Sequence, residues 1–94
     1  MRELTTTPKF KRAFRKFARR NAKLQRQIEQ TLIQMQADLY DPSLGTHSLS
    51  GKLEGLKACS CGYDCRIVFS IEKDAETETE YILLLDIGTH NDVY

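Results

Sequence analysis

The sequence has no long apolar run. None of its 94 residues belongs to a stretch that approaches the roughly 20 consecutive apolar residues a membrane-spanning helix requires. The first residues, Met-Arg-Glu-Leu-Thr-Thr-Thr, are polar and do not resemble a secretory signal peptide. We therefore expect a cytoplasmic protein that has no membrane partner.

Several patterns of catalytic and metal sites are also missing. The chain has no Gly-rich phosphate loop, no nucleophile elbow and no carboxylate pair at metal-binding spacing. Its three cysteines are crowded into Cys59-Ser-Cys61-Gly-Tyr-Asp-Cys65, and both histidines are distant in sequence. A zinc site needs four ligands. We expect no metal and no cofactor, with reduced cysteines in the turn or core; a zinc site and a redox or disulfide role are the alternatives.

Charge is divided unevenly along the chain. Residues 1–26 carry ten Lys or Arg and one Glu, a net +9, whereas residues 27–94 carry four basic and twelve acidic residues, a net −8. The sum is the overall +1. A basic first third indicates a polyanion or an acidic partner. The alternative is a solvated helix face that forms salt bridges with the acidic part of the chain.

Two helices are predicted in the first half. Thr7 is expected to cap a helix that begins at Pro8, and a break at Asn21 precedes a second helix from about Ala22 to Tyr40. The first helix has apolar residues at the spacing i, i+3, i+4, i+7, which is typical of a core-facing stripe. The stripe consists of Phe10, Ala13, Phe14 and Phe17.

Strands are predicted before and after the helices. The expected strands are a short edge strand over residues 2–6, then residues 52–59 with a possible bulge at Gly55, 63–71 and 81–87. Ser60-Cys61-Gly62 is predicted as the hairpin turn, and Asp64 and Arg66 are expected within the strand that follows. This order predicts one α+β domain over residues 1–94, β-α-α-β-β-β, with a helical hairpin on one face of a small antiparallel sheet.

Polar side chains are expected to gather on the face of the sheet that the helices leave open. They suit metal-free RNA cleavage, in which histidine exchanges protons, cations stabilise the phosphorane, and tyrosine stacks on a base or moves a proton. Structural roles are the alternatives: an exposed loop for His47, a strand cap for His90, a carboxylate partner (Asp64 or Asp86) for Arg66, and packing of the tail for Tyr94. The polar set consists of His47, Lys52, Lys57, Asp64, Arg66, His90 and Tyr94.

Three segments resemble the RelE/ParE superfamily of type II toxin–antitoxin toxins, most nearly the RelE and YafQ messenger-RNA interferases. They are His47-Ser-Leu-Ser-Gly-Lys-Leu-Glu-Gly-Leu-Lys57, then Cys-Gly-Tyr-Asp-Cys-Arg66-Ile-Val-Phe, and Ile-Gly-Thr-His90-Asn-Asp-Val-Tyr94. The resemblance implies a RelE-like fold, related to the microbial ribonucleases. It also implies metal-independent cleavage of message in the ribosomal A site, leaving a 2′,3′-cyclic phosphate and a 5′-hydroxyl.

The resemblance also implies residue roles. Arg66 matches the arginine that stabilises the phosphate in RelE toxins, His90 the principal catalytic histidine of YafQ toxins, and Tyr94 their C-terminal aromatic. His47 and Asp64 match polar active-site positions, and Lys52 and Lys57 resemble the strand lysines of RelE. YafQ toxins have a second histidine where Ser60 falls and usually lack an arginine at position 66. The base and the acid are therefore not assigned individually.

The resemblance finally implies partners. They are a cognate acidic antitoxin, the 70S ribosome with its message, and operator DNA only through the antitoxin; the free toxin is expected to be a monomer and the complex a hetero-oligomer. The alternatives are a ParE-like inhibitor of DNA gyrase without RNA chemistry and an inactive corepressor that binds the antitoxin. The first helix is expected to contact RNA phosphates through Lys9, Lys11, Arg12, Arg15, Lys16, Arg19 and Arg20.

Overall fold

The structure is a computed structural model, and it describes residues 2–94. Within this range a helical hairpin covers one face of a five-stranded sheet. This confirms the predicted α+β fold. The elements are β1 (Glu3–Thr6), α1 (Pro8–Phe17), α2 (Ala22–Ala37), β2 (His47–Ser48), β3 (Lys57–Gly62), β4 (Cys65–Lys73), β5 (Glu80–Gly88) and α3 (His90–Val93), with 3-10 turns at Pro42–Leu44 and Gly51–Leu53.

The strands lie in the order β1-β5-β4-β3-β2. The pairs β5–β4 and β4–β3 are antiparallel, as predicted. The strand β2, which was not predicted, pairs antiparallel with β3, and β1 pairs with β5 in parallel. Parallel neighbours need a long connection that returns the chain to the same end of the sheet. Here the whole helical hairpin and three strands lie between β1 and β5, so the first strand can join the last one in parallel.

Local capping fixes both long helices. Thr7 precedes Pro8, and its hydroxyl accepts a hydrogen bond from the amide of Phe10 at 3.1 Å, as predicted for an N-cap. Asn21 caps α2 in the same way. The second helix ends at Ala37 rather than at Tyr40, because Asp38 is extended and its carboxylate accepts from the Tyr40 amide at 3.2 Å.

The main core lies between the helices and the sheet. Phe10 from α1 and Ile28 from α2 pack with Phe69 of β4 and Ile82 of β5, and these side chains are almost fully buried. Burial of each such side chain stabilises the fold by roughly 1.5–3 kcal/mol. The aromatic stripe of α1 is therefore core, as predicted. Among residues 2–94, every helix is too short or too polar to cross a lipid bilayer.

The predicted strand over residues 52–59 is wrong in its first half. Gly51 and Gly55 have φ values of +67° and +92°, which interrupt an extended chain, and Gly51–Leu53 forms a 3-10 turn. The strand begins only at Lys57. Lys52 is therefore on an exposed turn and not on a strand.

The hairpin turn lies later in the chain than predicted. The strand β3 continues to Gly62, which pairs with Cys65, so Tyr63 and Asp64 form the turn. Asp64 has a φ of +50°, a conformation that aspartate tolerates better than most residues. Gly62, with a φ of +132°, lies at a register irregularity after Ser60. Asp64 is thus at the tip of the hairpin and not inside the strand.

Candidate active site

The sheet face opposite the two long helices carries a second, small apolar cluster. Ala58, Val68 and Val93 form it, and Leu49 and Leu56 pack against it. Val93 belongs to α3, so the C-terminal turn lies on this face. The register places His47 directly opposite Ala58, and Ala58 opposite Val68, so His47 faces the same side.

The C-terminal helix is held in place at its first turn. The hydroxyl of Thr89 accepts from the Asp92 amide and the Asp92 carboxylate accepts from the Thr89 amide, each at 3.2 Å, a reciprocal capping box. Gly88 permits a close approach, because a Cβ there would lie 2.9 Å from the Cβ of Asp92. Thr89 is therefore the residue that caps α3, and His90 is the first residue of that helix.

Asp64 connects the hairpin to this helix. Its Oδ1 accepts a hydrogen bond from the backbone amide of His90 at 3.1 Å. The bond spans 26 residues of sequence and joins the tip of the β3–β4 hairpin to the start of α3. Asp64 thereby fixes the position of His90 through the main chain and not through its imidazole.

His90 and Tyr94 are in direct contact. Their ring centroids are 4.6 Å apart, with an interplanar angle of 81°, an edge-to-face arrangement. Burial raises the pKa of Tyr94, the Arg66 charge lowers it in part, and Cys59 raises it further. Near neutral pH Tyr94 is thus a protonated phenol that can donate a hydrogen bond.

Arg66 is anchored by neutral oxygens. Its Nη1 donates to the carbonyl oxygens of Cys65 at 2.9 Å and Gly62 at 3.3 Å, and to the hydroxyl of Ser60 at 3.4 Å. Ser60 lies directly opposite Arg66 in the β3–β4 pair. A guanidinium has five N–H donors, so donors remain for a further acceptor.

The alternative of a carboxylate partner for Arg66 is wrong. Asp86 pairs instead with Lys9, with 3.6 Å between Oδ2 and Nζ, and Asp64 is bonded to His90. Among residues 2–94, the ion pairs present do not include Arg66. Its positive charge is therefore not neutralised by the protein, which suits an anionic ligand.

His47, Lys52 and Tyr94 line one pocket of about 370 Å³. The Nδ1 of His47 lies 2.9 Å from the carbonyl oxygen of Gly45. A carbonyl only accepts hydrogen bonds, so Nδ1 is the donor in this contact and Nε2 is the ring nitrogen that a ligand could approach. His47 is in the two-residue strand β2 and not in a loop as predicted, but it is exposed.

Lys57 does not join this group. It lies opposite Phe69, which belongs to the helix-side core, so its side chain emerges on the other side of the sheet. There its Nζ donates to the hydroxyl of Ser48 at 3.1 Å. Six of the seven polar residues predicted for the open face are therefore found there or at its edge.

The basic residues of the first helix also lie on the helix side. They border a groove of about 800 Å³ between α1 and α2, in which Glu29 is the acidic member. Lys9 is engaged by Asp86 and Lys11 lines a neighbouring apolar pocket with Phe10. A third pocket, near the C-terminal end of α1, is lined by both Lys16 and Asp92. The basic surface therefore reaches the edge of the molecule next to α3. The cations of the groove are Arg12, Arg15, Lys16, Arg19 and Arg20.

The cysteines differ from the prediction. Cys61 and Cys65 form a disulfide across the hairpin, with Cα atoms 5.0 Å apart, whereas Cys59 is free and buried. Burial raises the pKa of Cys59 to about 12. The pairing depends on the position of the turn. Because Tyr63 and Asp64 form the turn, Cys61 and Cys65 face each other across the hairpin. No group of three or more potential metal ligands is found among residues 2–94.

Three contributors to the site were not predicted. Ser60 supports Arg66, and Thr89 with Asp92 caps α3. The cap formed by Thr89 and Asp92 has a sequence signal, because Thr89-His-Asn-Asp92 has the spacing of a capping box. The support of Arg66 by Ser60 has no sequence signal, since it depends on the register between β3 and β4.

Comparison with known proteins gives this arrangement a class. The family model described as "Bacterial toxin of type II toxin-antitoxin system, YafQ" matches residues 2–94, nearly the whole chain. The RelE-like sheet with its helical hairpin is thus that of a toxin from a type II toxin–antitoxin system. The chain belongs to the YafQ toxin family, as its motifs predicted. A search of curated protein sequences found no match.

Solved structures show the same fold. The toxin of the Escherichia coli DinJ–YafQ complex has a TM-score of 0.75 at 11% identity, covering 100% of this chain and 99% of that one. A conserved hypothetical protein of Helicobacter pylori gives 0.72 at 22% identity, covering 100% of both chains. A YoeB/ParE toxin of Agrobacterium tumefaciens gives 0.74 at 12% identity, covering 94% and 98%. At these identities the similarity establishes the fold alone.

Proposed function

We propose that this toxin is a ribosome-dependent endoribonuclease that cleaves messenger RNA in the A site. The observation that supports it most is the cluster on the uncovered face: His90 contacts Tyr94, and the unneutralised Arg66 is close enough to perturb the phenol. Together they supply a proton-transfer group, a hydrogen-bond donor and a fixed cation. Membership in the YafQ toxin family supports the same class of activity.

The proposed reaction is an attack of the 2′-hydroxyl on the adjacent phosphorus. A base removes the 2′ proton, the P–O2′ bond forms as the P–O5′ bond breaks, and an acid protonates the departing 5′ oxygen. The products are a 2′,3′-cyclic phosphate and a 5′-hydroxyl, and the proton balance requires no metal. Proton transfer by a positioned histidine contributes roughly 10²–10⁴-fold to such a rate.

Each residue of the cluster, and His47 beside it, has a proposed role. His90 is the acid or the base, because its imidazole is exposed and its backbone is fixed by Asp64. Arg66 stabilises the charge that develops on the phosphorane through the donors its anchors leave free. Tyr94 donates a hydrogen bond or stacks on a base, and His47 is the second proton-transfer group through its free Nε2.

Asp64 and Lys52 are proposed to assist the reaction without transferring a proton. Asp64 acts as a positioning residue, since its carboxylate is bonded to a main-chain amide. Lys52, exposed beside His47 and Tyr94, contributes positive charge for the message. Lys57 lies on the other side of the sheet. For Lys57 to contact the message as predicted, the RNA would have to pass around the edge of the sheet at β2.

The proposed partners are a ribosome and an acidic antitoxin. The cations of the α1–α2 groove would contact ribosomal RNA phosphates, with an affinity that falls as salt rises. Escherichia coli YafQ was crystallised with DinJ in a toxin–antitoxin complex. By analogy, an acidic antitoxin would occupy the basic surface of this chain and block the cluster in a hetero-oligomer.

The test is cleavage in a reconstituted system. Purified protein is added to 70S ribosomes programmed with a reporter message, and primer extension maps the cuts; ribosome-free message is the control. We expect cuts only at the A site, with 5′-hydroxyl ends that polynucleotide kinase labels without prior phosphatase treatment. Uncut message, with gyrase–DNA breaks in a parallel assay, would favour the ParE-like alternative. An inert corepressor would do neither and would not arrest growth.

A further inference from the structure

The second helix carries an unusual number of glutamines. Five occur in sixteen residues, Gln25, Gln27, Gln30, Gln34 and Gln36. Three of the amides are engaged within the fold. Gln25 donates to the carbonyl oxygen of Ala18 at 3.0 Å, Gln34 to the carboxylate of Asp41 at 3.3 Å, and Gln36 to the carbonyl oxygen of Arg2 at 3.2 Å.

Gln27 and Gln30 are different. Both are exposed, they lie one helical turn apart, and no side-chain hydrogen bond joins either amide to another residue in the range 2–94. Both line a pocket of about 410 Å³ between α2, the 3-10 turn at Pro42–Leu44 and the end of β3. Its lining consists mainly of amides and hydroxyls, and it contains no charged side chain.

This pocket adjoins Arg66. Ser60 and Gly62 line it, and the same two residues accept hydrogen bonds from the Nη1 of Arg66. The amide of Gln27 lies against Gly62, since a Cβ on that glycine would be 2.5 Å from Nε2. The pocket therefore begins at the two residues that anchor the proposed phosphate-binding guanidinium.

The chemistry of the pocket selects its occupant. A phosphate would favour a site with cations, and an apolar peptide side chain would favour an apolar lining; this lining offers neither. An unpaired nucleobase presents hydrogen-bond donors and acceptors on its edge, and a glutamine amide offers one of each in a plane. We propose that this pocket binds one nucleobase of the message next to the phosphate held by Arg66, and that Gln27 and Gln30 read its edge.

The inference rests on the proposed ribonuclease function and makes it more specific. It predicts that Gln27 and Gln30 set base preference near the cut, whereas the cluster around His90 sets the chemical rate. A well-placed pair of hydrogen bonds to a base edge discriminates against the wrong base by about tenfold or more. Loss of the amides should therefore bring the rates for the four bases together.

The experiment compares Gln27→Leu, Gln30→Leu and the double variant with the wild type on ribosomes. The messages differ only in the bases flanking the cut, and the measured quantity is the ratio of cleavage rates between the best and the worst base. Gln36→Leu is the matched control, because it makes the same change on the same helix away from the pocket. We expect the ratio to fall about tenfold in the double variant and to remain unchanged in the control.

A second arm separates this inference from the ribonuclease function. Fluorescence anisotropy measures the binding of labelled RNA trinucleotides, one for each central base, to the wild type and the double variant. If the wild type does not cut RNA but binds it with a base preference that the double variant loses, the assignment of the pocket as a nucleobase site is supported and the ribonuclease proposal fails. If the double variant keeps its base ratios in cleavage, or only loses affinity for an antitoxin, the pocket assignment is overturned. An absence of base preference in both arms overturns it as well.

Discussion

The carboxylate of Asp64 and the backbone amide of His90 are joined by a 3.1 Å hydrogen bond. This contact links the tip of a β-hairpin to the C-terminal turn, in which His90 begins α3 and Tyr94 follows its last residue. The hairpin also carries Arg66, and a disulfide closes it from the core side. The position of the proposed proton-transfer group relative to the proposed cation therefore depends on the conformation of one short turn.

Asp64 is expected to act by position and not by charge. Asp64→Gly keeps the positive φ accessible but removes the acceptor, and it should slow cleavage at least tenfold while costing about 1 kcal/mol of stability. Asp64→Asn retains an oxygen acceptor and tolerates the same φ, so it should cleave nearly as well as the wild type. Single-turnover cleavage on ribosomes and urea unfolding measure both effects. Equal loss in the two variants would show that the negative charge itself is required.

The disulfide is expected to stabilise the hairpin. For so short a loop the entropic contribution is about 2 kcal/mol, so reduction should lower the melting temperature by an amount on the order of 10 °C. The double variant Cys61→Ser, Cys65→Ser should melt at the lower temperature with or without reductant. If reductant lowers its melting temperature as much as that of the wild type, the effect does not come from this bond.

Cys59 provides a chemical check on the pairing. Burial raises its pKa to about 12, so at pH 8 the folded protein should react very slowly with iodoacetamide. After unfolding without reductant, mass spectrometry should find one alkylated cysteine, and after reduction all three. Three reactive thiols without reductant would mean that Cys61 and Cys65 are not bonded.

Tyr94 should make stability depend on pH in the alkaline range. Burial raises its pKa in the folded state, so the folded protein holds the phenol proton at pH values where the unfolded chain has lost it. This contribution is fully present below about pH 10 and is lost as the pH rises through the folded-state pKa. Tyr94→Phe should remove that part of the pH dependence in urea unfolding. An unchanged profile would mean that Tyr94 titrates equally in both states.

The salt dependence of ribosome binding should separate two cations of the first helix. Arg15 lines the open groove, whereas Lys9 is paired with Asp86. Arg15→Gln should reduce the slope of log affinity against log salt by about one, and Lys9→Gln should change it less. Sedimentation binding at fixed magnesium and varied potassium chloride measures the slopes. Equal changes would show that the Asp86 pair does not occupy Lys9 in the complex.

Sequence patterns could predict the layers of the fold but not the details of the site. The period of Phe10, Phe14 and Phe17 and the cap at Thr7 are local, and they defined the first helix correctly. The turn at Tyr63–Asp64 depended on strand register and on a glycine at a bulge, and so it was placed too early. The face of Lys57 and the support of Arg66 by Ser60 follow from that register, which a single sequence does not encode locally.

The most direct test of the central proposal is the cleavage rate of His90→Ala and Arg66→Ala on programmed 70S ribosomes. Asn91→Ala is the matched control, because it alters an exposed neighbour on the same short helix. We predict that His90→Ala slows cleavage by roughly 10²–10⁴-fold and Arg66→Ala by about 10²–10³-fold, while Asn91→Ala cuts at the wild-type rate. Cleavage at the wild-type rate by both the His90 and the Arg66 variants would contradict the account.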